Sequence, residues 1–487
     1  MLRQSVHTFT KVHNQRLPEF IIMKLFFACL ISFLAILGTA HAQNLQIKRI
    51  DSLMEAANRR GVFSGTILVA QKGKIMYHKA WGFADAGQTR PLTTDMLFDI
   101  GSIAKEFNGV SIMLLKEQSK LDLEDPVSRY LTGLPQWADQ VKIKHLINYT
   151  SGLPNFTAQS NETDMQLLDS LRSLKSLKFE PGSAYIYSHA NVYLQRRIIE
   201  EISQLSYADF AKKFIFKPCG MERSIMDADL SRPDVAKAFD NDFKPTPYIQ
   251  LTSGFVRLTV ADLYKFVTRL EQFGIVSKAS FDALAANFPG GESSLGSTAY
   301  ENGKLKWHRH QGSNSNYEAL IYTDHQENVS IVMATNNQNF KVDAIKTAIL
   351  AILKDEPFNV PRKSLYLDIR DKVLNNMKSG LAFYDEIRAN KRDQYDFSFE
   401  AGDLISTGKY LQRRNRYDDA ITIYSLAAPL CSRPSDLSYV YELTAECFLK
   451  KGEKAEARSW YEKAVATDTK NKNAQGMLST LAKSNGN

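Results

Sequence analysis

Apolar and polar positions follow two rhythms along this chain, and the change between them divides it. Residues 47–60 carry a helical pattern, and Phe63–Ala70 is a continuous apolar run that reads as a buried strand. Lys72-Gly73 marks a turn and Ile75–Trp81 patterns as a second strand, so the two form a hairpin. Tyr317–Tyr322 and Val329–Ala334 read as another hairpin, joined by Asp324–Asn328, and Val342–Leu353 as an apolar helix. Strands therefore come from both ends of this region with helical segments between. The pattern predicts one sheet completed by the two chain ends, with a helical insert in the middle.

From Pro361 onward the pattern is almost wholly helical, with few glycines and many charges. An internal repeat runs through it. Gly408, Leu411, Ala420, Tyr424 and Ala427 recur 37 residues later as Ala445, Phe448, Ala457, Tyr461 and Ala464. Small residues where helices cross, with aromatics between, let antiparallel helices pack closely. The spacing resembles the tetratricopeptide repeat with a longer loop at Pro429–Asp436, and Gly452 falls in the turn of the second unit. Two units are below the ~3 such a stack needs, so helices at 363–392 and 473–484 are expected to complete the packing.

The N-terminus adds a third texture. Met23-Lys24, the apolar run Leu25–Leu37 and Ala40-His41-Ala42 form a positive start, an apolar stretch and a small-x-small cleavage site. Residues 1–42 are therefore expected to be a signal peptide, with Met23 a candidate for the real start, and the mature chain to be periplasmic or secreted. The alternative is an uncleaved N-terminal anchor. The expected organisation is leader 1–42, domain 43–359 and helical domain 360–487, with no membrane span in the mature chain.

Composition narrows the function classes. The 487 residues are 44% hydrophobic and 23% charged, values of an ordinary globular protein. The net charge is +8, and the leader itself contains four of the basic residues and one acidic residue. No basic stripe alternates with aromatics, so nucleic acid is not an expected partner. Four cysteines are too few for a disulfide scaffold, and no Cys/His spacing or His-Glu-x-x-His run suggests a metal. No cofactor is expected.

Three short motifs carry the candidate chemistry. Ser102-Ile103-Ala104-Lys105 stands where a helix would begin, and Ile103, Phe107, Val110 and Leu114 continue at helical spacing. A serine at a positive helix end suits a developing oxyanion. A lysine one turn away on the same face, if buried, is placed to accept the serine proton. Taken alone, the motif equally describes a capping serine and a surface lysine. Tyr187-Ser188-His189 follows Pro181-Gly182 and precedes an apolar helical run. A tyrosine beside cations can serve as general base or acid, although a core tyrosine has the same pattern. His310-Gln311-Gly312 comes just before the strand at Tyr317. Glycine there would let a substrate backbone approach, and Ser313 would offer its N–H as an oxyanion donor.

Order and spacing join these motifs. Together they resemble the serine β-lactamase and penicillin-binding-protein superfamily, in its class C-like branch of esterases and D-amino-acid peptidases. Thr150-Ser151-Gly152-Leu153-Pro154, Lys217-Pro218-Cys219-Gly220-Met221, and Ser253-Gly254 with Thr259-Val260-Ala261-Asp262-Leu263 resemble further stretches of that branch. The resemblance implies a mixed α/β, β-lactamase/transpeptidase-like fold over about 45–357: an antiparallel sheet flanked by helices plus a helical subdomain, here followed by an all-α repeat-like domain. It implies Ser102 as nucleophile, Lys105 and Tyr187 as proton-transfer groups, and the N–H groups of Ser102 and Ser313 as oxyanion donors. His310 and Gly312 would line the strand edge on which substrate docks, and His189 would orient the substrate.

Five positions depart from the family pattern or from that of its true β-lactamases. His189 replaces the usual Asn, Asn191 and Arg196 replace glycines of the following helix, and Asn316 stands where a glycine is usual in a turn. His310 replaces a lysine that helps hold a substrate carboxylate in true β-lactamases. An ester or amide substrate is therefore expected rather than a β-lactam. The competing reading is a catalytically impaired scaffold that binds a protein partner through the helical repeats.

Overall fold

The structure is a computed structural model that describes residues 43–156, 163–227, 231–247 and 252–484. The expected leader, 1–42, lies outside the described residues.

Strands β1 (Gly65–Gln71) and β2 (Lys74–Trp81) form the expected hairpin around Lys72-Gly73, both with positive φ. Strands β6 (Ser297–Glu301), β7 (Lys304–Asn314), β8 (Tyr317–Asp324) and β9 (Val329–Thr335) follow from the far end of the region. They assemble in the order β2-β1-β9-β8-β7-β6, antiparallel throughout. A second sheet pairs β3 (Phe98–Asp99), β5 (Val256–Leu258) and β4 (Ile225–Met226) in the order β3-β5-β4.

The period of two along each strand sorts side chains to two cores. Ile67 and Val69 face one way with Leu320, Ile331 and Met333, and are covered by a helix at 43–59 and by the helix Val342–Leu353. Leu68 and Ala70 face the other way with Ala319, Ile321, Val332 and Ala334, against the helices Ala104–Glu117 and Val260–Glu271. On that side Phe107 and Phe266 stack at 4.1 Å between ring centroids. The helix Ala104–Glu117 is buried almost all round, which is why its apolar residues extend beyond one stripe.

Beyond the sheet region lie the helices Leu365–Asn375, Met377–Asn390, Glu400–Gln412, Tyr417–Ala427, Pro434–Lys451, Lys454–Thr467 and Lys472–Ser484. The helical pattern at 363–392 forms two helices. Asn376 breaks it: its backbone is extended, and its side chain accepts the Ser379 N–H at 2.9 Å to cap the second helix. Ala420, Tyr424, Ala427, Ala457, Tyr461 and Ala464 are wholly buried at helix crossings. The helical region docks through polar contacts: Asn241 Nδ2 donates to Asp368 Oδ1 at 2.6 Å, and Lys372 Nζ lies 2.8 Å from Asp242 Oδ2. Among the described residues no helix is long and apolar enough to cross a membrane.

Candidate active site

Ser102 stands at a tight junction of strand and helix. β3 ends at Asp99, Gly101 takes φ 53°, a single 3-10 turn covers Gly101–Ile103, and the helix Ala104–Glu117 follows. Asp99 Oδ1 accepts the Gly101 N–H at 2.8 Å and fixes the turn. Two glycines let this turn nest against β7 backbone to backbone. A Cβ on Gly101 would lie 2.4 Å from Ser313 N, and a Cβ on Gly312 would lie 1.9 Å from Ile100 O. The close approach expected of a substrate at Gly312 is instead made by the turn that carries Ser102.

Lys105, at 6% exposure, reaches back along the helix face to place Nζ 3.1 Å from Ser102 Oγ. Tyr187 Oη lies 2.7 Å from the same oxygen, across 85 residues of sequence. Lys105 Nζ also sits 5.1 Å from the centre of the Tyr187 ring. Alcohol, amine and phenol thus meet within hydrogen-bond reach.

The Thr150–Pro154 stretch puts the tyrosine there. Tyr149 O, Thr150 O and Gly152 O accept from Ile186, Gly182 and Lys178, holding the segment that leads to Tyr187. Gly152 has φ 76°, and a Cβ on it would lie 2.4 Å from Phe179 O. Ser188 caps the helix His189–Ser203 by accepting from Ala190 N, and donates its hydroxyl to Pro154 O at 2.7 Å. Asn191 is buried and accepts the Ser151 hydroxyl at 2.6 Å. This bond adds to the same tie.

A cavity of about 160 Å³ opens at Ser102 and Lys105, walled by Asn108, His189, Tyr193, Arg196, Ser253, Ser313 and Asn314. His189 is exposed at its mouth. Repulsion from the Lys105 ammonium, above all, lowers its imidazole pKa to about 3, with the surrounding cleft walls and Arg196 adding to the shift although the ring edge stays open to solvent. Arg196 is buried, donating to Ser253 Oγ at 2.7 Å and Asp164 Oδ1 at 2.9 Å. This wall thus carries a guanidinium paired with the Asp164 carboxylate. The strand end 310–314 pairs with β8 but extends past the last β6 partner, Arg309, and its Ser313 and Asn314 line the cavity.

Six of the seven residues expected from sequence gather here: Ser102, Lys105, Tyr187, His189, Gly312 and Ser313. His310 does not line the docking edge as expected. It is 2% exposed, and its Nδ1 lies 2.8 Å from Glu106 Oε1, on the inner face of β7. Strand alternation explains this, since 308, 310 and 312 share the inward face. The expected turn at Asn316 does form, with φ 43° at Ser315 and 67° at Asn316. Sequence reasoning missed Asp99, Asn314, whose Nδ2 donates to Asp99 Oδ2 at 3.2 Å, and Glu106. All three adjoin motif residues, but only their partners across the fold give them a task.

A family model described as beta-lactamase matches residues 47–355. The chain belongs to the beta-lactamase family of serine hydrolases. Penicillin-binding protein 4* of Bacillus subtilis (strain 168) is 30% identical over 355 residues, covering 65% of this chain and 78% of that protein. Teichoic acid D-alanine hydrolase of Staphylococcus aureus (strain MRSA252) is 24% identical over 258 residues, 51% of this chain and 63% of the relative. A solved class C beta-lactamase superposes with TM-score 0.55 at 21% identity, covering 64% of this chain and 97% of that one. That likeness speaks for the beta-lactamase fold alone. The helices from Leu365 onward fall outside the family match.

Proposed function

We propose that this member of the beta-lactamase family cleaves an ester or amide through an acyl-enzyme on Ser102, with Lys105 and Tyr187 moving the proton. The observation that carries the reading is the Ser102 oxygen held by both Lys105 Nζ and Tyr187 Oη at the floor of an open cavity. In acylation, Ser102 Oγ bonds to the substrate carbonyl carbon while its proton passes to Tyr187 Oη in its phenolate form, beside the Lys105 ammonium. The Ser102 and Ser313 N–H groups lie on the backbone segments that meet at this point, and are the candidate oxyanion donors. The proton then passes to the leaving alcohol or amine as its bond to the carbonyl carbon breaks. Water, activated by the same pair, repeats the sequence in reverse and frees Ser102.

Substrates with a D-amino-acyl group fit this reading better than β-lactams. Position 310 offers no lysine for a carboxylate, because its histidine is turned to Glu106. A related protein named for D-alanine hydrolysis from teichoic acid points the same way. Export rests on the leader pattern of Met23–Ala42, and the domain limits 43–359 and 360–487 on the change from sheet to helices. The helical region is proposed to take a protein partner.

The test is a panel of p-nitrophenyl esters, D-amino-acid amides and a chromogenic cephalosporin against wild type and Ser102→Ala. Turnover of esters or D-amino-acid amides, lost in Ser102→Ala, is expected. Preferential hydrolysis of the cephalosporin would reverse the substrate assignment. A folded protein that turns over none of them would leave the binding-scaffold reading.

A further inference from the structure

Behind the catalytic serine, on the side away from the cavity, lies a group of buried ionisable residues that the proposed chemistry does not use. His308, on β7, has no exposed surface. Its Nδ1 is 2.9 Å from Glu271 Oε1, and its Nε2 is 2.9 Å from Leu295 O and 3.3 Å from Glu106 Oε1. The Leu295 carbonyl only accepts, and with Glu106 and Glu271 held ionised by their histidine partners both ring nitrogens face acceptors, which favours an imidazolium. Glu106 Oε1 also meets His310 Nδ1 at 2.8 Å. Glu271 further accepts from Thr323 Oγ1 at 2.7 Å and lies 3.1 Å from His325 Nε2.

We propose that Glu106, His308 and Glu271 form a buried charged clasp that positions β7, and with it Ser313, against the helix that carries Ser102. Three elements meet in it. Glu106 follows Lys105 in the first turn of the nucleophile helix, Glu271 ends the helix Val260–Glu271, and His308 and His310 belong to β7. The clasp pins β7 at 308 and 310, just ahead of Gly312 and Ser313, where strand and nucleophile turn are in backbone contact. Fixing the strand there fixes the gap between the two N–H groups assigned to the oxyanion. None of the three residues lines the cavity.

A packed apolar cluster would hold the fold at least as well, because burying charges carries a desolvation penalty. What an ion cluster adds is a single register, since a slip of β7 would strand each charge without its partner. Burial alone would drive His308 toward neutrality, but the pull of Glu106 and Glu271 and their hydrogen bonds raise it to about 10. The charges facing it are Glu106 from the nucleophile helix and Glu271 from the second helix, with His310 and His325 behind them. The clasp therefore stays charged at any pH at which the enzyme is expected to work.

The inference rests on Ser102 as nucleophile, and its test separates the two. Glu106→Gln, His308→Gln and Glu271→Gln are made in the full chain and assayed with p-nitrophenyl acetate well below their Tm. A kcat at least tenfold lower with KM within twofold is expected, because oxyanion donors act on the transition state. A folded clasp variant with kcat within twofold of wild type, however lowered its Tm, overturns the proposal. Nitrogen-15 NMR of histidine-labelled wild type at pH 8 supplies a readout that needs no variant to fold. Both His308 nitrogens protonated is the expected result, and a neutral His308 overturns the charged clasp. Were wild type itself inactive and unlabelled by a fluorophosphonate, the assignment of Ser102 would fail, while the NMR would still decide the clasp.

Discussion

Around Ser102 each side chain is held by a partner distant in sequence, and this decides which substitutions matter. Lys105→Ala and Tyr187→Phe each remove one of the two hydrogen bonds to Oγ and little packing. Turnover should fall by about 10² to 10⁴ with a Tm close to wild type, as steady-state kinetics and calorimetry would show. Full activity in Tyr187→Phe would exclude the phenol as proton carrier. Gly312→Ala differs in kind, since its methyl would collide with the Ile100 carbonyl at 1.9 Å. Overpacking of this sort costs about 1–3 kcal/mol, and the strained approach of β7 should lower kcat as well as Tm. That Ser102, Lys105 and Tyr187 would meet was legible because their types and spacing form a motif. Arg196 was visible only as a departure, and Glu106 not at all, because a carboxylate's task is set by the residues it faces.

At the scale of elements, legibility followed the apolar pattern. β1, β2, β8 and β9 and the helix Val342–Leu353 stand where hydrophobic runs place them. β7 was hidden. Its sequence KLKWHRHQGSN puts His308, His310 and Gly312 on the inward face, so the strand buries polar groups and shows no apolar alternation. The helical region was readable because its spacing rests on small residues at helix crossings. Gly408 is one of them, and a Cβ there would lie 2.2 Å from the Tyr424 ring. Gly408→Ala should destabilise the helical region by about 1–3 kcal/mol and leave ester turnover intact. Separate thermal transitions for the two regions, followed by calorimetry, would show the shift in the helical one. An unchanged transition would mean that the helices at this crossing are not so close.

Across the whole molecule the sheet is closed by strands from both ends of its sequence, and the groups around Ser102 come from the turn after β3, the helix that follows it, the insert and β7. Stability should therefore follow the buried groups that join those parts. Burial opposes the ionisation of Glu271, yet hydrogen bonds and attraction from His308 and His325 lower its pKa to about 2. A lowered carboxylate stabilises the fold above its ordinary value near 4.5 and loses that contribution as pH falls toward 2. His308, raised to about 10, stabilises fully below its ordinary 6.5 and loses its contribution as pH rises toward 10. Chemical denaturation across pH should show greatest stability between these ordinary values, falling on both sides, with the alkaline fall reduced in His308→Gln. An alkaline limb unchanged by that substitution would assign the loss to other groups.

The most direct measurement is intact-mass and peptide mass spectrometry of the folded protein after reaction with a fluorophosphonate. One adduct, mapped to Ser102, absent in Ser102→Ala and slowed in Lys105→Ala and Tyr187→Phe, is what the three-group cluster at this oxygen requires. An unmodified folded protein, or an adduct carried by a different side chain, would contradict it.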